Sequence, residues 1–248
     1  MKRCGPLFVL LISQLPTLAW AQGTSTITDA LAKDRAQLEA IATKTGLTAM
    51  HANLKAAREL EFTTTFKVDD RVIGTSRSGT AKYQLRQPNL LRVTVTSGKQ
   101  NLVVVSDGQV LVIHKRNQRK YREGPAKDSI VGSLYTAAGL VGVQPRMIDF
   151  FWSVDYVATL GGFPKITSTG PRKIGNKTCD GVRLVYQEDE WNVWLERSER
   201  RLPCRLVSKR KDGSAFTIQT NTFTWPEKRQ IPDSEFQFSP PSGHKREN

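Results

Sequence analysis

The sequence predicts an α+β protein, mostly antiparallel β, whose main sheet curls into an open barrel. Three observations carry this. From Leu60 to Val112, apolar and polar residues alternate along successive runs, the period-two signature of strands with one greasy and one wet face. From Asp128 to Leu160 the spacing turns helical. From Lys165 onward the strand pattern returns.

The chain opens with basic Lys2 and Arg3, an apolar stretch Leu7–Leu18, and Ala19-Trp20-Ala21, which fits a small-x-small cleavage site. Residues 1–21 are therefore expected to be a signal peptide cut before Gln22, with residues 22–248 forming a single domain in the periplasm. Cys4 lacks the residues that would make it a lipidation site. Gln22–Thr28 is polar and expected to be mobile. Asp29–Thr43 carries Leu31, Leu38, Ile41 and Ala42 at helical spacing, with Thr28 or Asp29 as cap. After Gly46, Leu47–Leu60 resumes with Met50, Leu54 and Ala57 on one stripe, expected to lie on the sheet.

In the meander, Phe62, Phe66 and Val68 share a face, as do Tyr83 with Leu85, and Leu91 with Val93 and Val95. Asp-Asp-Arg, Pro-Asn, Ser-Gly-Lys and Asp-Gly-Gln supply the turns. The basic run Lys115–Lys120 reads as a solvated hairpin tip in preference to a contact for anionic lipid. In the helical insertion, Ile130, Leu134 and Ala138 recur at i, i+4 and i+8, and Met147–Trp152 forms an apolar cluster. The insertion either plugs the apolar face of the sheet or covers it as a lid. Val182, Leu184 and Tyr186, then Val193 and Leu195, alternate in the returning strands. The proline-rich tail is expected to stay outside the core, except that Phe236 and Phe238 tuck in as a last edge segment.

With 38% hydrophobic and 24% charged residues, the 248-residue chain is not a disordered one. A formal net charge of +14 favours anionic partners. Export argues against nucleic acid, and the surplus of Lys and Arg then faces the anionic lipid headgroups of a membrane surface or is only a solvated surface. Cys179 and Cys204 are a disulfide candidate in an oxidising compartment, against two separate buried thiols. Two cysteines without clustered histidines make a poor metal site, and His51, His114 and His244 are scattered. No nucleophile motif, phosphate loop or dinucleotide fingerprint occurs, and Glu188-Asp189-Glu190 reads as a solvated turn. The expectation is a protein that is not an enzyme and takes no cofactor.

Five segments in order, RSGTAKYQLRQPNLLRV, SDGQVLVIHKRNQRKY, VGVQPRMIDFFW, KTCDGVRLVYQEDEWNVWLE with RRLPCRLV, and IPDSEFQFSPPSG, resemble a family of exported bacterial proteins of unknown function, predicted to be periplasmic. That family is allied to the LolA and LolB lipoprotein carriers and to the RseB sensor domain. The resemblance implies an open half-barrel sheet wrapped around helices, with an N-terminal helical segment and a mid-chain helical lid over an apolar cavity. The wall would be Phe62, Phe66, Tyr83, Leu85, Leu91, Val93, Val95, Leu184, Tyr186, Val193 and Leu195. The lid would be Ile130, Leu134, Ile148, Phe151 and Trp152. The implied function is a binding or carrier protein for a lipid, acyl chain or lipoprotein. The alternative is an envelope protein-interaction or sensor module with a filled core. In the carriers a strand arginine contacts the lid; Arg86 and Arg92 are on strands here, but neither is matched to that role. The cysteine pair is not part of the shared pattern.

Overall fold

The computed structural model describes residues 19–98, 100–141, 148, 151, 165–186, 188–227 and 229–247. Residues 1–37 and 38–248 form two units. Helix α1 (Ala19–Thr45) begins in the first and ends in the second. It starts earlier than its apolar spacing predicts. Gln22–Thr28, expected to be mobile, is helical, and Thr28 and Asp29 lie inside the helix instead of capping it. No proline occurs between Pro16 and Pro88, so the backbone meets no obligatory stop there. Gly46, at φ +82°, adopts the left-handed conformation that separates α1 from α2 (Leu47–Ala56). The second helix ends before Leu60, because Ala57 is already extended.

Two meanders follow. The first comprises β1 (Glu59–Asp70), β2 (Thr75–Arg86), β3 (Leu90–Ser97), β4 (Gln100–Asp107), β5 (Val110–Lys115) and β6 (Lys120–Pro125). Helix α3 (Ile130–Val141) comes next. The second comprises β7 (Lys165–Ile174), β8 (Lys177–Tyr186), β9 (Asp189–Glu196), β10 (Pro203–Asp212) and β11 (Ala215–Thr224). Pairing of β1 with β11, Thr64 opposite Phe223, joins them side by side. A two-residue β12 (Lys245–Arg246) adds parallel to β6, completing one open twelve-stranded sheet. The fold is thus α+β and mostly antiparallel, as the alternation predicts. Gly79 allows β2 and β3 to approach, since a Cβ there would stand 2.1 Å from the Thr96 carbonyl oxygen.

One row crosses the first meander: Phe62, Tyr83, Val93, Val104 and Ile113 lie opposite one another in turn. Their side chains line the inner face, which carries the main core. The outer face has its own cover. Val103, Val105, Val112 and His114 are buried there, and Phe236 and Phe238 of the tail lie over Val105 and Val112. Ile231 and Phe236 are buried. Arg86 fastens this strap through Glu59, Asp233 and the Ile231 carbonyl, and lies over the Phe236 ring. Arg92 donates to the Glu235 carbonyl at 3.0 Å. Both arginines therefore hold the tail on the outer face, away from α3. His114 Nε2 and His244 Nδ1 approach to 2.7 Å, and burial, then the facing His244 and Arg116, hold His114 below its ordinary pKa. The tail therefore contributes a long strap, beyond the edge segment expected at Phe236 and Phe238.

Cys179 on β8 and Cys204 on β10 are bonded across the end of β9, within an outer cluster containing Ile174 and Trp194. The bond closes a loop with a sequence separation of 25. Replacing both cysteines with alanine is expected to lower stability by about 3.5 kcal/mol, by loop-closure entropy. Urea unfolding of the oxidised protein and the double variant measures it, and a loss under about 1 kcal/mol would mean the unfolded loop is already compact.

Candidate functional site

The inner face of β1 presents Leu60, Phe62, Thr64, Phe66 and Val68, because every second side chain points the same way. Tyr83 and Leu85 of β2 and Leu91, Val93 and Val95 of β3 continue that face; Leu184 of β8 and Val193 and Leu195 of β9 extend it in the second meander. These ten expected wall residues all fall in one buried cluster. Ile130 and Leu134 of α3, with Ile148 and Phe151, join the same cluster. Trp152 lies outside the described residues, and so does the side chain of Tyr186.

Among the described residues this face is covered. None of these described wall or lid residues is more than 4% exposed, and a water-sized gap along them would leave its lining accessible. At the centre, Phe62 stacks on Tyr83 at 4.5 Å between centroids, with Trp225 at 4.8 Å, Phe223 at 5.8 Å and Phe151 at 6.4 Å. Burial pushes the Tyr83 phenol well above its ordinary pKa, with the Thr64 hydroxyl acting in the opposite sense. Thr64 Oγ1 is itself buried without a hydrogen bond of good geometry. Thr64 and Tyr83 are thus polar points on a mainly apolar face, which also carries buried Ser106 opposite Leu91, and Asn221 and Gln219 opposite Phe66 and Val68.

The cover is anchored at one end. Ser129 caps α3 by accepting the Gly132 N–H at 3.1 Å, and the Ile130 N–H donates to the Pro88 carbonyl at 3.0 Å. Asn89 donates to Gly108 and Lys127 carbonyls, fixing the approach to α3. On the helix itself Ile130, Leu134 and Ala137 are buried while Tyr135 is exposed. The contact is one stripe, the pattern of an element laid on a surface.

A groove of about 400 Å³ opens onto the same core where β1 begins. Its apolar lining includes Leu54, Leu60, Leu202 and Trp225, which also belong to or pack on the main core. Sequence reasoning missed it because it is assembled from three segments far apart in the chain: the end of α2 with β1, the β9–β10 connection, and the stretch after β11. Asn53 ties the first two, donating to the carbonyls of Glu199 and Arg200 at 3.0 and 3.2 Å. The rim is charged. Glu61 accepts from Arg229 at 2.8 and 3.0 Å and meets Lys82 at 3.0 Å. The Arg229 guanidinium, opposed by burial and helped by Lys82, lowers the Glu61 carboxyl from 4.5 to about 2. A depressed carboxylate stabilises the fold fully above its unfolded pKa, and that contribution is lost as pH falls through about 2. Glu61→Gln is expected to cost on the order of 1–2 kcal/mol at neutral pH, discounted for the exposed Arg229, and to flatten the acid limb of stability below about pH 4.5. Urea midpoints across pH test this, and an unchanged acid limb would mean that solvent screens the pair.

The Glu188-Asp189-Glu190 turn is neutralised locally, by Lys211 on Glu188, the Lys211 N–H on Asp189 and Arg183 on Glu190. Among the described residues no cluster of His, Cys, Asp and Glu could hold a metal ion.

No curated protein matches the chain. Among solved structures, the chain is similar to an uncharacterized conserved protein from Thermus thermophilus, at 11% identity and TM-score 0.46, covering 83% of this chain and 99% of that one. It is also similar to the lipoprotein LppX from Mycobacterium tuberculosis, at 12% identity and TM-score 0.44, covering 78% and 99%. A LolA superfamily protein from Nitrosomonas europaea is similar at 8% identity and TM-score 0.39, covering 78% and 98%. Residues 43–246, from the end of α1 through β12, match the family described as predicted periplasmic protein (DUF2092), and the chain belongs to that family.

Proposed function

We propose that the protein binds or carries a lipidic ligand, an acyl chain or the acyl group of a lipoprotein, between the inner face of its sheet and the α3 cover. The observation that carries this reading is the cover itself. It lies on a mainly apolar face through one helix stripe, and the groove beside α2 leads to the same apolar cluster. The ligand would enter as α3 lifts, replacing lid–wall contacts with acyl–wall contacts. Each buried methylene is worth roughly 0.8 kcal/mol, so a chain of about ten supplies several kcal/mol before the cost of opening. Thr64 and Tyr83 would orient a polar group of the ligand.

A second reading is favoured by the near-zero exposure of the wall: a filled core, with the sheet or cover binding another envelope protein. Native mass spectrometry of protein purified from the periplasm without detergent, followed by organic extraction, separates the two. A bound mass that extracts as lipid is the expected result. A bare mass, together with no uptake of a fluorescent fatty-acyl probe, would move the assignment to the protein-binding module.

A further inference from the structure

We propose that the β1–β2 turn is a membrane-contact tip that seats in the surface of an anionic phospholipid bilayer. Val72 and Ile73 are adjacent there and 46% and 69% exposed, large apolar side chains held in water. The turn is built to present them: Asp70 Oδ1 accepts both of their N–H groups, at 3.0 and 3.3 Å, and Gly74 takes the left-handed conformation, at φ +68°. On the β2 side the turn extends beyond β3, while on the other side β11 and β10 flank β1 up to the turn. Residues Thr75–Ser78 of β2 are exposed on both faces, and β3 pairs with β2 only from Thr80 onward.

A collar of cations surrounds this tip. Arg71 and Lys209 both lie over the Phe216 ring, at 4.7 and 4.5 Å, which fixes them beside the turn. Register places Arg77 opposite Val68 on one side, and Arg210 opposite Thr217, itself opposite Asp70, on the other. Arg71, Arg77 and Arg210 are exposed and form no salt bridge among the described residues. Arg71, Arg77, Lys209 and Arg210 outnumber the turn's carboxylates Asp69 and Asp70, and exposed apolar side chains beside such a net-basic collar match a bilayer surface: the pair enters the headgroup region and the cations meet lipid phosphates. The basic β5–β6 tip has the charge without the apolar pair. There Arg116, Arg119 and Lys120 are exposed polar residues, and Lys120 approaches Glu247.

The test is co-sedimentation of the protein purified from the periplasm with vesicles of phosphatidylcholine, with and without phosphatidylglycerol, across a salt series. The wild type is expected to bind the anionic vesicles, and to release as salt rises. Arg71→Glu/Arg77→Glu/Arg210→Glu should weaken binding on the order of a hundredfold, and Val72→Ser/Ile73→Ser about tenfold or more. Arg116→Glu/Lys120→Glu/Arg122→Glu makes the same charge change elsewhere and should bind like the wild type. An environment-sensitive dye on Ile73→Cys should shift to the blue on anionic vesicles. Failure to bind anionic vesicles, equal loss in the β5–β6 control, or no dye shift would overturn the proposal. So would a dimer in solution that Ile73→Ser dissolves, since the tip would then be a contact between copies of this chain.

Discussion

Phe62→Ala is expected to lower the unfolding free energy by about 3–5 kcal/mol. The side chain is fully buried among four aromatic rings, stacked on Tyr83, tilted against Trp225 and Phe223 and edge-on to Phe151. Removing the ring forfeits its transfer free energy and leaves a void that strands on either side cannot close, because β1 is paired on both edges. Aromatic pairing adds to the loss beyond area alone. Equilibrium urea unfolding gives the number. Phe62→Leu should recover most of it by filling the volume. A loss below about 1 kcal/mol would show that the rings repack freely, a property of an adaptable binding site more than of a rigid core.

The inner face was legible because period two is unambiguous when one side is wet. Phe62, Phe66 and Val68 alternate with Thr63, Thr65 and Lys67, and the structure places them so. The outer cover was not read, although its trace was present. Leu102–Val105 and Val110–Ile113 do not alternate, and an unbroken apolar run marks a strand buried on both faces. The second cover has no period of its own: Ile231, Phe236 and Phe238 are separated by proline and polar residues. Arg86 and Arg92 could not be assigned for the same reason, since the strap groups they hold lie more than a hundred residues away. The disulfide stood open on spacing alone, because only the β8–β9–β10 order brings its cysteines together. The groove at the start of β1 depends on where three distant segments meet, which local pattern does not encode.

Leu134→Arg is expected to abolish uptake of a fatty-acyl probe while leaving the sheet folded. Leu134 is fully buried on the stripe of α3 that faces the wall. A guanidinium there has no partner, and burying an unpaired charge costs several kcal/mol. Lifting the helix off the sheet returns that charge to water without breaking a strand ladder. The strand ladders do not pass through α3, and its start remains tied at Ser129, Pro88 and Asn89. The variant should therefore keep its β circular-dichroism signal, bind a hydrophobic dye more strongly than the wild type, and lose saturable probe binding. Tyr135→Arg supplies the comparison, because Tyr135 on the same helix already faces water and its replacement should change neither property. If Leu134→Arg unfolds the sheet along with the helix, α3 is part of one indivisible core. The closed face would then be a packing solution and no longer a site, and the protein-binding reading would stand.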